Sequence, residues 1–321
     1  MKIKSLIVGL GQIGLGYDFN DLTDGFVASH AKALHLHPDF DLIGAVDPVA
    51  DRREMFAQRY GKGTYANVAR ALEHCRPELV VLATPIKDHV ETFHELLKFP
   101  SLQLILCEKP LAMVLSDAER MLESANEKNI AVAINYVRRY DPGVQSLTQR
   151  LCAGEMGFPL KACVWFGKGI FNNGSHFVNL FVDILGQIKE VKILSPGRLW
   201  DGWDPEPDFR LVFDSGVVYF ISVREEDFSY SQIEILGPKG KILFDKEGRI
   251  LWCGAAPDPV FDGYMTLRQV ADEIPTDMNR YQYNVLQNLA DFLSGRARLV
   301  CDGESGLRTM RALDSIQGAL E

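Results

Sequence analysis

The sequence predicts an α/β protein, in which an N-terminal doubly wound parallel sheet of the Rossmann type precedes an α+β domain with a mainly antiparallel open sheet. Three observations carry this expectation. Short β-branched runs alternate with helical patterns through the first 134 residues, a glycine-rich turn follows the first run directly, and after about residue 135 strand-like runs succeed one another at hairpin spacing. Strands alternating with helices imply crossover connections and a parallel sheet covered on both faces. Hairpin spacing implies antiparallel pairing.

The elements follow in order. Strands are expected at Ile3 to Val8, Leu42 to Val46, Leu79 to Ala83, Leu104 to Cys107 and Ile130 to Ile134. Amphipathic helices are expected between them at Arg52 to Tyr60, Val68 to His74, His89 to Lys98 and Ser116 to Lys128. The second part opens with a helix at Pro142 to Ala153 and a strand at Leu160 to Phe166; a further helix starts at Ser175, with Ser175 as its N-cap. Strands then run Lys189 to Leu194, Phe209 to Phe213, Val217 to Val223, Gln232 to Leu236 and Lys241 to Phe244. Asp214-Ser-Gly216 and Gly237-Pro-Lys-Gly240 supply turns between them. The tail reads as helices at Tyr281 to Ser294 and Ser305 to Leu320, with Gly295 as a stop. The expected division is 1–134 and 135–321.

Composition narrows the function. The chain has 321 residues, 47% of them apolar, and a formal charge of −9. That size suffices for buried cores. An acidic balance argues against nucleic-acid and anionic-membrane partners, which need clustered Lys and Arg, and points to a small molecule. Cys75, Cys107, Cys152, Cys163, Cys253 and Cys301 lack C-x-x-C spacing, so free thiols in a reducing, cytoplasmic setting are expected and no metal site is. Lys2 and Lys4 before an apolar run imitate a leader, but a glycine turn replaces the cleavage site, and the run reads as a strand. No apolar stretch is long enough to span a membrane as a helix.

Gly9-Leu-Gly11-Gln12-Ile13-Gly14 follows the first strand, the context in which G-x-G-x-x-G signals a dinucleotide. Gly9 permits the tight turn, Gly11 lets the backbone approach a pyrophosphate, and Gly14 lets the helix pack on the strand. The helix N-terminus then offers unpaired N–H groups to phosphate. Asp47 ends the second strand, where a carboxylate accepts ribose hydroxyls and repels a 2′-phosphate; NAD(H) is favoured, with NADP(H) admitted by Arg52 and Arg53 just beyond. Gly14 and Asp47 stand 33 positions apart, where about 20 is ordinary. An insertion at Leu15 to Ser29 accounts for the excess and reads as a surface excursion.

Cys107-Glu-Lys-Pro-Leu111 at a strand end adds the specific element. With Gly9 to Gly14, Asp47-Pro48, Ala83-Thr84-Pro85 and His89, Asn135-Tyr-Val-Arg-Arg-Tyr-Asp-Pro142, Gly154-Glu-Met-Gly157, Asn173-Gly-Ser-His176 and Ile235-Leu-Gly-Pro-Lys-Gly240, the sequence resembles the Gfo/Idh/MocA oxidoreductases, which include glucose-fructose oxidoreductase and inositol dehydrogenase. The resemblance implies a nicotinamide-dependent enzyme acting on a hydroxyl or carbonyl of a sugar, cyclitol or nucleotide-sugar. It places Lys109 beside the nicotinamide and makes His176 the acid–base residue. It adds Thr84, Pro85, His89 and Glu108 to the cofactor contacts, and Tyr136, Asn172 and Asn179 to the substrate contacts. It also implies a homo-oligomer, dimer or tetramer, formed through the open sheet of the second domain.

The chemistry of the residues agrees. Alcohol oxidation needs a base for the hydroxyl proton, a role suited to His, while a Lys aimed at the same oxygen stabilises alkoxide charge. In a helix from Ser175, the residues Phe177, Leu180, Phe181, Ile184 and Leu185 form an apolar stripe, and His176, Asn179 and Asp183 fall on another face. Two departures stand out. Many relatives carry Asp four residues before this His and another three after it; here Asn172 and Asn179 occupy those positions. An amide cannot hold imidazolium as a carboxylate would, so a catalytically weak NAD(P)-binding sensor or partner subunit is the rival reading. The insertion, near the pyrophosphate loop, is the second departure. His35, His37, His74 and His94 read as helix-surface residues without metal partners.

Overall fold

The computed structural model describes residues 2–320. The chain forms two compact units, one comprising residues up to 140 together with 278–310, the other 141–277 with the segment from 311 on. A single cut after residue 134 left the whole tail in the second domain. The structure instead returns 278–310 to the first unit, because Val27 donates its N–H to Asn279 O at 2.8 Å and His37 packs at a tilt against Tyr283 with ring centroids 4.7 Å apart.

In the first unit, β1 (Ile3–Val8) leads to a five-residue helical turn, Gln12–Gly16, and to α1 (His30–Leu36). There follow β2 (Phe40–Val46), α2 (Ala50–Tyr60), β3 (Gly63–Tyr65), α3 (Val68–His74), β4 (Leu79–Leu82), α4 (His89–Leu96), β5 (Leu104–Cys107), α5 (Leu115–Glu127) and β6 (Ala131–Ile134). The six strands pair in parallel in the order β3-β2-β1-β4-β5-β6. Leu79–Leu82 and Leu104–Cys107 are buried throughout, as strands covered on both faces must be. The short edge strand β3 carries too few residues to give a periodic signal and was not foreseen.

The expected helix does not open at Gly14. The chain makes one wide turn, in which Gly16 N–H reaches Gly11 O at 3.1 Å, and then leaves on an excursion that ends at Ser29, the N-cap of α1. Asp18 closes this excursion. Its buried Oδ2 accepts the N–H groups of Ala28 at 2.6 Å and Ser29 at 2.9 Å, so the insertion is pinned at its root while Tyr17, Leu22 and Phe26 stay exposed. His37, expected on a helix surface, is buried between Phe40 and Tyr283, which pushes its pKa below the ordinary histidine value. His35 and His74 are exposed, and His94 is half-buried.

In the second unit, α6 (Pro142–Cys152) is capped by Asp141, whose Oδ1 accepts Gly143 N–H at 2.8 Å and Val144 N–H at 3.1 Å. Next come β7 (Leu160–Phe166), a wide helical turn Gly169–Gly174 and α7 (Ser175–Leu185). The remaining strands are β8 (Ile188–Trp200), β9 (Asp204–Phe213), β10 (Gly216–Ser222), β11 (Gln232–Gly237), β12 (Gly240–Phe244), β13 (Ile250–Pro257), β14 (Met265–Leu267) and β15 (Asp272–Ile274). They form a mixed sheet along β14-β13-β12-β11-β7-β10-β9-β8, antiparallel except for β7 with β10, with β15 paired on β13. Phe209 stacks on Phe220 at 4.5 Å, and Phe181 of α7 meets Phe220 edge-on at 6.3 Å, which seats the helix on one sheet face. Strands β13 to β15 were not foreseen: one ends in Gly254-Ala-Ala-Pro257, and the other two have three residues each. The tail helices are α8 (Tyr281–Leu293) and α9 (Gly303–Gly318).

Candidate active site

Sheet register builds the first unit's site. Val46, Val8, Leu82, Cys107 and Ile134 lie in one row across the strands. Four of the five following residues bond back to that row: Gly9 N–H to Val46 O at 2.8 Å, Ala83 N–H to Val8 O at 2.7 Å, Glu108 N–H to Leu82 O at 2.9 Å and Asn135 N–H to Cys107 O at 2.9 Å; Asp47 N–H bonds to Tyr65 O of β3 at 3.1 Å. The glycine turn, Asp47, Thr84-Pro85, Glu108-Lys109 and Asn135-Tyr136 therefore share one rim, at the carboxyl ends of the strands. In open parallel sheets that rim is where ligands bind.

The three glycines differ in what surrounds them. A Cβ on Gly9 would stand 2.3 Å from Ala83 O, and one on Gly14 would stand 2.0 Å from Gly9 O, so both positions are closed by backbone. Gly9 also sits at φ +105°, a conformation that favours glycine. A Cβ on Gly11 would meet nothing within 4 Å. Gly11 is thus bare where the turn faces open space, and the first N–H groups of the Gln12–Gly16 turn have no partner earlier in the turn. This is a fit for a pyrophosphate.

Asp47 is buried, and its carboxylate already works within the protein. Oδ2 accepts Leu10 N–H at 2.7 Å and Oδ1 accepts Val49 N–H at 2.8 Å; Arg52 Nη1 lies 3.6 Å from Oδ2. The residue expected to read the ribose thus also fixes the glycine turn. Each oxygen keeps a second lone pair for a ligand. Arg53 turns away to cap Asp47 O and Pro48 O at 2.7 and 2.9 Å.

Glu108 is buried beside the half-exposed Lys109. Its Oε1 accepts from Asn135 Nδ2 at 2.6 Å and meets His30 Nε2 at 2.7 Å, and Asn135 Nδ2 also reaches Gln282 Oε1 at 3.3 Å. Burial raises the carboxyl's pKa, but His30, Asn135 and the Lys109 charge overrule it, and the net direction is down. Glu108 is therefore an anion tied into the protein. His89, expected among the cofactor contacts, is buried with Nδ1 3.1 Å from Leu111 O and Nε2 3.0 Å from Thr84 O. Both ring nitrogens face protein carbonyls, so its side chain ties together the loops after β4 and β5. Burial holds its pKa below the ordinary value. Tyr136 is 1% exposed, a packed ring at the rim's base.

In the second unit, α7 lacks the expected serine cap. Gly174 is already helical (φ −55°, ψ −35°), and Ser175 Oγ donates back to Phe171 O at 2.7 Å. The wide turn's amides are taken by carboxylates of β9: Asp204 accepts from Phe171 N–H at 3.0 Å and Asn172 N–H at 2.9 Å, and Glu206 from Gly169 N–H at 3.2 Å. Glu206 is in turn held by Arg198 Nε at 2.7 Å. Asp204 and Glu206 were missed. Their signal is an acidic pair at i and i+2 opening a strand, which puts both on one face. His176 and Asn179 are buried rather than on an open polar edge, Asn172 is half-buried, and of the face they share only Asp183 is partly exposed. Among the described residues, no group of three or more His, Cys, Asp or Glu side chains is arranged to hold a metal. No described helix is long and apolar enough to cross a membrane.

Comparison with known proteins fits this geometry. Residues 3–136 match the family described as "Oxidoreductase family, NAD-binding Rossmann fold". Inositol 2-dehydrogenase of Rubrobacter xylanophilus is 30% identical over 167 residues, covering 51% of this chain and 45% of the relative. Glucose-6-phosphate 3-dehydrogenase of Bacillus subtilis is 28% identical over 159 residues, covering 50% and 42%. The chain spans less than half the length of these curated relatives. Over 99% of the chain and 95% of the other, the fold matches WlbA dehydrogenase from Bordetella pertussis, solved with NADH and UDP-GlcNAcA, at TM-score 0.80 and 19% identity. An oxidoreductase from Agrobacterium radiobacter solved with NAD+ matches over 100% and 96%, at TM-score 0.77 and 17% identity. The matched residues are the ones that build the parallel sheet and its rim, as the description of an NAD-binding Rossmann fold requires. The match to the Gfo/Idh/MocA family covers residues 3–136.

Proposed function

We propose that the chain is a nicotinamide-dependent dehydrogenase or reductase acting on a CH–OH or carbonyl carbon of a sugar, cyclitol or nucleotide-sugar, with NAD(H) favoured and NADP(H) admitted. The shared rim carries the reading, because it sets a bare Gly11 turn, Asp47 and Lys109 at the carboxyl ends of β1, β2 and β5 of one sheet. The curated relatives named inositol 2-dehydrogenase and glucose-6-phosphate 3-dehydrogenase support the substrate class.

Gly9, Gly11, Gln12, Ile13 and Gly14 would hold the pyrophosphate, Asp47 the ribose, and Thr84, Pro85 and Glu108 the rim beneath the nicotinamide. The bound cofactor would supply the hydride acceptor or donor. Lys109 donates a hydrogen bond to the substrate oxygen and stabilises its alkoxide character. His176 takes the hydroxyl proton during oxidation and returns it during reduction. Tyr136, Asn172 and Asn179 position the substrate; for the buried Tyr136 that role runs through packing. Homo-oligomer formation through the open sheet of the second unit, and a cytoplasmic setting, complete the proposal.

The test mixes the protein with NAD+ or NADH and a panel of hexoses, cyclitols and nucleotide-sugars, and follows the reduced-nicotinamide absorbance. Turnover with any member is expected. Tight cofactor binding with silence across the panel would favour the sensor reading, for which the amides at 172 and 179 are the motive.

A further inference from the structure

Glu108 is a buried carboxylate that draws donors from separate parts of the first unit: His30 at the start of α1, and Asn135 after β6, itself held by Gln282 of α8. Removing a carboxylate from water costs several kcal/mol unless it is paired and hydrogen-bonded. His30 Nδ1 is buried and has no hydrogen-bond partner among the described residues. A carboxylate only accepts, so it is Nε2, 2.7 Å from Oε1, that donates to Glu108. Hydrogen bonds from His30 and Asn135 thus hold the carboxylate in place, and the Lys109 charge acts on it from the next residue of the chain. Glu108 Oε2 also lies 3.4 Å from Lys109 N, at the backbone from which the lysine projects.

We propose that Glu108 is the positioning residue and counter-charge of Lys109, keeping it an ammonium, and that His30 anchors this carboxylate. The insertion acquires a role through this link. Asp18 pins its end at Ala28 and Ser29, next to His30, so the excursion sets the residue that holds Glu108. The proposal rests on the role given to Lys109 above. Besides Lys109, the titratable groups facing Glu108 are His30 from α1, His89 from α4, Cys107 from β5 and Tyr281 from α8.

Competitive acetylation with acetic anhydride across pH, read by mass spectrometry on the Lys109 peptide, reports where that amine loses its proton and needs no substrate. Glu108→Gln is expected to move the midpoint down by about one pH unit. His30→Leu should move it the same way, by freeing the carboxylate to turn from the ammonium, while His30→Gln, which keeps a donor, should restore it. If Glu108→Gln does not fold, the His30 pair carries the test. Equal midpoints in all folded variants overturn the proposal. Lys109→Ala separates this outcome from the functional reading: unimpaired turnover there refutes the role of Lys109 in catalysis, whatever the acetylation shows.

Discussion

Asp47 Oδ2 accepts the N–H of Leu10 at 2.7 Å, which joins the end of β2 to the middle of the glycine turn. The residue proposed to select the ribose thereby also shapes the glycine turn. Asp47→Ala is expected to weaken discrimination against NADP(H) by one to two orders of magnitude, about 1.4 to 2.7 kcal/mol. It should also lower the stability of the cofactor-free protein by about 1–3 kcal/mol, because the Leu10 and Val49 N–H groups lose their acceptor. Cofactor titrations and denaturant melts measure the two effects. Altered selectivity with unchanged stability would show that the Leu10 bond contributes nothing.

Gly11 and Gly14 should separate binding from folding. A Cβ at Gly11 meets no protein atom within 4 Å, and Gly11→Val should leave the melting temperature close to that of the parent while removing NADH binding. Gly14→Ala puts a Cβ 2.0 Å from Gly9 O and should destabilise the fold. Fluorescence titration with NADH and thermal melts on both variants check this. Retained NADH affinity in Gly11→Val would contradict the pyrophosphate assignment.

Asp204 is expected to matter to activity without touching the reaction. Asp204→Ala leaves the Phe171 and Asn172 N–H groups without their acceptor, at a cost of about 2 kcal/mol or more. The turn that leads into His176 should loosen, and kcat should fall while NADH affinity is kept. A variant with parental stability and kcat would exclude this support.

His89 gives a pH dependence with a definite sign. Its native pKa lies below the unfolded value near 6.5, because burial outweighs the two carbonyls it faces. The native state then binds fewer protons than the unfolded one as pH falls below 6.5. Stability is fully present above that value and is lost toward the lower native pKa, with a slope of up to about 1.4 kcal/mol per pH unit. His89→Gln should flatten the decline between pH 7 and 5 in urea melts. An unchanged slope would place the loss elsewhere.

Much of this was legible because local chemistry and fold agree. The Leu79 and Leu104 runs, the glycine turn and the breaks before Asp47 and Glu108 locate the strand ends, and with them the rim. Long-range partners were not legible. Nothing in the sequence pairs Asp204 with amides more than thirty residues earlier, or His30 with Glu108, since such contacts follow from topology rather than periodicity. The turn Gln12–Gly16 stands where the helix was expected because the insertion separates it from α1, which opens only at His30. His37 misled for a related reason: the aromatic wall that buries it includes Tyr283, which is far along the chain.

The central claim is that Lys109 and His176 serve one hydride-transfer step. Steady-state kinetics of Lys109→Ala, His176→Ala and the double variant, with the substrate found by the panel, test it most directly. Each single variant is expected to lose about 10² to 10⁴ in kcat with little change in NADH affinity, and the double variant to lose less than the product of the two. Parental kcat in either single variant, or losses that multiply in full, would contradict it.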